Sequence, residues 1–256
     1  MLFPISDDDR HLLRPAWVTI TLVVANVLVF LYQLARPDFT LGFSVIPAEI
    51  VRGVDLVDAV LVRDAGAWVE LPQAPGPVPI YLTLLTAMFM HGGWGHLGGN
   101  LLYLWIFGDN VEHRFGAVRY LLFYLISGLV ATVAQIVVDP ESAIPNLGAS
   151  GAISGVLGAY LVLFPHNRVM AVFLFRIVSI PAIFVLGLWA VMQIFSGMGS
   201  LGGQGGATGG VAYAAHVGGL VAGVVMGLIA RFALKTEPDT AFRRIYDRSR
   251  PGSQYR

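Results

Sequence analysis

The chain of 256 residues contains no cysteine, which excludes disulfide frameworks, thiolate zinc sites, iron–sulfur clusters and cysteine nucleophiles. Charge is also scarce, at 12% Asp, Glu, Lys and Arg against about 25% in soluble domains. Basic and acidic residues balance at 16 each, so the chain has neither a basic footprint for nucleic acid nor an acidic tail. Lys235 is the one lysine, an arginine bias that points to a GC-rich microbial genome. No internal repeat is visible, which counts against an inverted-repeat transporter. What the sequence has in excess is apolar residues, at 56%, and glycine, at 30 residues. The glycines concentrate in and beside the apolar segments, as close backbone packing inside lipid requires.

Stretches long enough to cross a bilayer, about 20 apolar residues, lie at 16–35, 83–107, 117–138, 180–197 and 211–233. A sixth, 150–164, is about 22 Å long as a helix and falls short of a hydrocarbon core of about 30 Å. It reads as a span whose outer end starts below the membrane surface. The first segment is not a secretory signal, because Asp7, Asp8 and Asp9 precede it and no small-residue cleavage site follows. Thirteen basic residues fall on one set of alternate sides and three, Arg36, Arg52 and Arg63, on the other. By the positive-inside rule both termini are cytoplasmic and six spans fit the parity. The expected organisation is a cytoplasmic segment 1–15, a six-span domain 16–233 and a basic cytoplasmic tail 234–256. A proline-rich outer loop covers 36–80, with short apolar stretches suited to the interface, and a glycine-rich outer loop covers 197–210. The fold class is an all-α integral membrane protein with a short fourth helix at its centre.

Polar residues inside such spans are costly and mark function by default. His91, His96, Asn100, Ser150 and His216 are the informative ones. His96 and Asn100, four apart, share a helix face. His216 lies about five residues, or roughly 8 Å, into the last span. Ser150 opens the short span at a similar depth, so two length arguments bring a hydroxyl and an imidazole to one level. Neutral imidazole is the usual base for a serine nucleophile, while helix-start N–H groups with His96 and Asn100 can hold an oxyanion. No carboxylate lies in an apolar span at that depth, which favours a dyad over a triad.

The segments HGGWGHLGGNLLYLWIFGDNVEHRFG (91–116), GASGAISGVLGAY (148–160) and AHVGGLVAG (215–223) resemble, in order, spacing and topology, the three signature regions of the rhomboid family of intramembrane serine proteases. The resemblance implies a six-helix fold and hydrolysis of single-span membrane proteins with no cofactor, metal or nucleotide. It puts the nucleophile on Ser150, in G-x-S-G after Gly148, and the base on His216. It puts the oxyanion donors on His96, Asn100 and the Ser150 amide, and the histidine closing the top of the site on His91. Glu112 and Arg114 match a structural E-x-R. Two positions depart from the family pattern. The aromatic beside the base is Ser154 here, and the Trp-Arg pair of the first outer loop reads Leu82-Thr83. The expected location is a microbial cytoplasmic membrane, with the site opening outward and the irregular segment 139–149 lining a wet cavity.

Each residue also has a plainer reading. Ser150 alone is a helix N-cap, and His216 or Asn100 alone is an interhelical hydrogen-bond partner. His91 and His96 are five apart without H-E-x-x-H, cysteine or a nearby carboxylate, which argues against a metal. His113 and His166 sit beside Arg114 and Arg168 as interfacial anchors. Gly151, Gly155, Gly219, Gly223 and Gly227 are spaced to let two helices approach and so to set the Ser150 to His216 distance. Two rival functions are a catalytically silent rhomboid-like protein that binds membrane helices, and a channel or transporter carrying protons on its histidines.

Overall fold

The computed structural model describes residues 3–8, 12, 14–64, 67–199 and 212–234. Most of the glycine-rich loop, 200–210, and the tail from Lys235 onward lie outside the described residues. The architecture is a helical bundle. In chain order its helices are α1 (Trp17–Ala35), α2 (Pro37–Phe43), α3 (Pro47–Arg52), α4 (Thr83–Thr86), α5 (Trp94–Phe115), α6 (Ala117–Val138), α7 (Ser150–Leu163), α8 (Ala182–Gly199) and α9 (Tyr213–Ala233). Proline opens α2 and α3, where its missing N–H costs nothing and its fixed φ is that of a helix.

Among the described residues three helices, α1, α6 and α9, are long and apolar enough to cross a membrane, with mean hydropathies of 2.1, 2.3 and 1.8. The chain is thus a multi-spanning membrane protein. The other three long helices fall outside that criterion for separate reasons. Helix α5 is less apolar, with His96, Asn100, Asp109 and Asn110 along it, α7 has 14 residues, and the described apolar stretch of α8, Ala182–Gly197, is a short one. The expected span 83–107 is not one helix. Residues Ile80–Phe89 form alternating 3₁₀ and α turns, the chain is irregular at 90–93, and α5 starts afresh at Trp94. Adjacent glycines at 92 and 93, weak helix formers, occupy the break.

Strands add to the all-α expectation. An antiparallel sheet of order β1–β4–β5 joins β1 (Phe3–Ser6) to the hairpin β4 (Arg168–Phe173) and β5 (Arg176–Pro181), and β5 occupies the start of the stretch read as the span 180–197. A separate hairpin pairs β2 (Val60–Asp64) with β3 (Ala67–Leu71) in the outer loop. That loop is tied to the segment before Ser150. Val45 and Asn146 exchange backbone hydrogen bonds of 2.9 and 2.7 Å, Ala48 N–H donates to the Ser142 carbonyl, and Gln73 Nε2 donates to the Ala143 carbonyl. An Arg52–Glu141 ion pair adds to the same face.

Helix α7 is the axis of the bundle, and every residue from Gly151 to Tyr160 is buried. Phe107, Val111, Tyr120, Tyr124 and Phe123 pack around it from α5 and α6. Glu112 and Arg114 fasten the opposite end from Ser150, each to a different helix. The Glu112 carboxylate accepts the N–H groups of Val18 and Thr19 at 3.0 and 2.7 Å and the Thr19 hydroxyl at 2.8 Å, capping α1. Arg114 donates to the carbonyls of Ala230 and Arg231 at the end of α9. The Glu112 contacts satisfy helix-start N–H groups left without intrahelical partners, Arg114 adds a donor to the Ala230 carbonyl, which also accepts the Leu234 N–H, and both side chains complement the helix dipoles.

Candidate active site

Ser150 is the first residue of α7 and His216 lies in the first turn of α9, so both side chains come from the same end of a packed helix pair. His216 Nε2 is 2.8 Å from Ser150 Oγ. The helices can approach this closely because α9 offers no side chain at Gly219. A Cβ there would stand 2.0 Å from the Gly151 carbonyl oxygen, so any larger residue forces the pair apart.

The Ser150 hydroxyl faces a cavity of about 690 Å³, within the usual size range for ligand sites. His96, Asn100, Trp189 and His216 line it. His96 Nδ1 accepts the Gly92 N–H at 3.3 Å. Neutral imidazole carries one proton, so this bond leaves it on Nε2. That nitrogen points toward Gly148, whose position would bring a Cβ within 2.9 Å of it and 3.5 Å of Ser150 Oγ. Gly148 has φ +132, a conformation side chains rarely adopt, and its N–H donates to the Ala87 carbonyl at 2.9 Å. Asn100 is buried, and its Nδ2 has no hydrogen-bond partner among the described residues.

His91 does not line this cavity. It is buried behind His96, ring to ring at 5.1 Å and nearly perpendicular, and its backbone N–H donates to Gln33 Oε1 at 2.9 Å. Ser154 lines the cavity wall and donates back to the Ser150 carbonyl at 2.7 Å. The rings beside His216 come from elsewhere: Trp189 at 6.3 Å and Tyr213 at 6.4 Å between centroids. Leu82 is exposed, whereas Thr83 is buried with its hydroxyl on the Ile80 carbonyl at 2.7 Å. Among the described residues no three His, Asp or Glu side chains gather as a metal site.

One site residue escapes the reading of the sequence. Gln193 of α8 places Oε1 at 2.8 Å from His216 Nδ1. The signal was present, as an amide isolated in an apolar segment, but an uncharged side chain does not stand out among the glycines and aromatics around it.

A sequence model of the rhomboid domain matches residues 80–232, more than half the chain and all of the site just described. The chain belongs to the rhomboid family. Among rhomboid relatives, Rhomboid protease GluP of Bacillus subtilis is 45% identical over 87 residues, 34% of this chain and 17% of that protein. Rhomboid protein 1, mitochondrial, of Saccharomyces cerevisiae is 32% identical over 150 residues, 57% of this chain and 41% of that one. RHOMBOID-like protein 6, mitochondrial, of Arabidopsis thaliana is 28% identical over 258 residues, 94% and 76% of the two chains. The alignments thus span less than half the length of the first two relatives.

Proposed function

We propose that this rhomboid is an intramembrane serine endopeptidase that cleaves single-span membrane proteins in or near their transmembrane segments. The observation that carries the reading is the 2.8 Å contact between His216 Nε2 and Ser150 Oγ at the edge of an open cavity. His216 takes the hydroxyl proton as Oγ attacks the substrate carbonyl, and the tetrahedral oxyanion is held by His96 Nε2–H, Asn100 Nδ2–H and the Ser150 N–H. The imidazolium then protonates the departing amine. Water, losing its proton to His216, attacks the acyl ester, and the imidazolium returns that proton to Ser150 Oγ as the acid leaves.

In the same reading α1, α5, α6, α7, α8 and α9 are six spans within 16–233. Both termini are cytoplasmic, and the Ser150 end opens to the outer side of a microbial cytoplasmic membrane. The arginine distribution supports this orientation. Gly148 keeps room beside the oxyanion donors, and His91 backs His96. Gly151, Gly155, Gly219 and Gly223 hold the seam, and Glu112 and Arg114 secure the far end.

The test is cleavage of a single-span reporter by the purified chain in liposomes. Ser150→Ala and His216→Ala should each lose activity by about a thousandfold or more. Cleavage that survives either substitution overturns the dyad. A wild type that binds the reporter but does not cut it points to the silent helix-binding alternative.

A further inference from the structure

We propose that Gln193 is a positioning residue for His216, its amide oxygen accepting the Nδ1–H and thereby turning the Nε2 lone pair toward Ser150. The inference rests on the hydrolase reading of the site and names a third member that neither the sequence motifs nor the family resemblance supplies.

Neutral imidazole has one N–H donor and one acceptor nitrogen. At His216 both nitrogens are engaged at 2.8 Å, Nδ1 with Gln193 Oε1 and Nε2 with Ser150 Oγ. An amide oxygen can only accept, so the proton belongs on Nδ1, and Nε2 is free to accept from the hydroxyl. In the other tautomer the Nδ1 lone pair would face the amide oxygen while Nε2–H faced the serine, and the base would be lost. A neutral amide performs this task at lower desolvation cost than a carboxylate, which fits a site inside an apolar bundle. Trp189 and Gln193 are four residues apart on α8 and so share one face. That face presents an indole near the imidazole, at 6.3 Å, and an amide to its edge. These contacts orient the base from α8, at a place where Ser154 offers no aromatic. As the transferred proton makes the ring cationic, the amide dipole already points its negative end at Nδ1–H.

The experiment uses the full-length protein with ¹⁵N-labelled histidine in micelles, the His216 signal being identified by its loss in His216→Ala. Long-range ¹H–¹⁵N spectra should give the Nδ1–H tautomer in the wild type and a mixture of tautomers in Gln193→Met, which keeps the side-chain length without the acceptor. In liposomes Gln193→Met should lower kcat by about ten- to a hundredfold with little change in KM, and Gln193→Glu, which restores an acceptor, should recover most of the loss. A wild-type His216 protonated on Nε2 overturns the proposal, as does a Gln193→Met enzyme with wild-type kcat. Should the wild type cleave nothing, the hydrolase reading fails, while the tautomer measurement still decides whether Gln193 orients the imidazole.

Discussion

Two helices flank His216, and the protein joins them to it in opposite ways. Helix α7 meets α9 backbone to backbone: Gly219 and Gly223 press on the Gly151 and Gly155 carbonyls, and Gly158 on the Leu220 carbonyl, with no room for a Cβ at any of the three. Helix α8 meets the same region through a few side chains. It buries Ala182, Val185 and Leu186 near its start, whereas Phe184, Leu188, Val191 and Phe195 stay exposed along its length. In lipid, where helix association depends on van der Waals contact and small residues, the first seam is stiff and the second is adaptable. The distance between Ser150 and His216 is set by the stiff seam, and the orientation of the imidazole by the adaptable one. In the proposed reading, where a substrate helix must enter, the wall that yields is then not the one that spaces the reacting atoms.

Of the two seams, the stiff one gives the larger expected effect when broken. In Gly219→Ala the new methyl would begin 2.0 Å from the Gly151 carbonyl oxygen, so α7 and α9 must move apart. Overpacking of this kind costs about 1–3 kcal/mol, and a shift of about 1 Å in a reacting pair costs about a hundredfold in rate. Thermal unfolding in detergent and kcat in liposomes measure the two. A variant that unfolds near the wild-type temperature yet cleaves poorly would separate spacing from stability. Wild-type kcat would show that the seam does not set the distance.

A smaller effect tests the outer brace of the stiff side. Glu49 of α3 is buried beneath the loop that holds 139–149, and its carboxylate accepts the Leu56 N–H at 2.8 Å. Burial, with Asp55 nearby, pushes its pKa up to about 7, while the Leu56 bond pulls the other way. The folded state therefore favours the protonated acid. The resulting stabilisation is complete below the ordinary carboxylate pKa of about 4.3, declines as pH rises toward 7 and is gone above it. Unfolding temperature measured from pH 4 to 8 should fall across that window in the wild type more than in Glu49→Gln. Parallel curves for the two would remove Glu49 from the account.

The parts of this division differ in how far the sequence reveals them. Ser150, His96, Asn100 and His216 can be read directly, because polar groups in apolar stretches are rare enough to be informative. The α7–α9 seam can be read from glycines at four-residue spacing. Gln193 and Trp189 cannot, since an amide and an indole on an apolar helix announce no partner until α9 is in place. The β4–β5 hairpin is hidden for another reason. Its residues 168–181 are a mixed apolar run that merges with α8, and β1, which completes the sheet, pairs with β4 from the other end of the chain. The break at 90–93 carries a signal in Gly92 and Gly93, but the hydrogen bonds between Gln33 and His91 that fix it are tertiary.

The smallest predicted effect is the counterpart of the first, made on the adaptable helix. Gly187 lies in α8, and a Cβ added there meets nothing within 4 Å. The substitution that wedges α9 away from α7 at position 219 should therefore be accepted at 187. Alanine lowers the conformational freedom lost on helix formation and is favoured over glycine by about 0.5–1 kcal/mol in a helix interior. Gly187→Ala should raise the unfolding temperature slightly and leave kcat and KM unchanged in liposomes. A loss of activity as large as that at Gly219 would mean that α8 closes on the site more tightly than its exposed face indicates, and the contrast between the two seams would collapse. An unchanged kcat with a small gain in stability would locate the helix's influence on His216 in the few side chains that touch it, Trp189 and Gln193, rather than in its backbone.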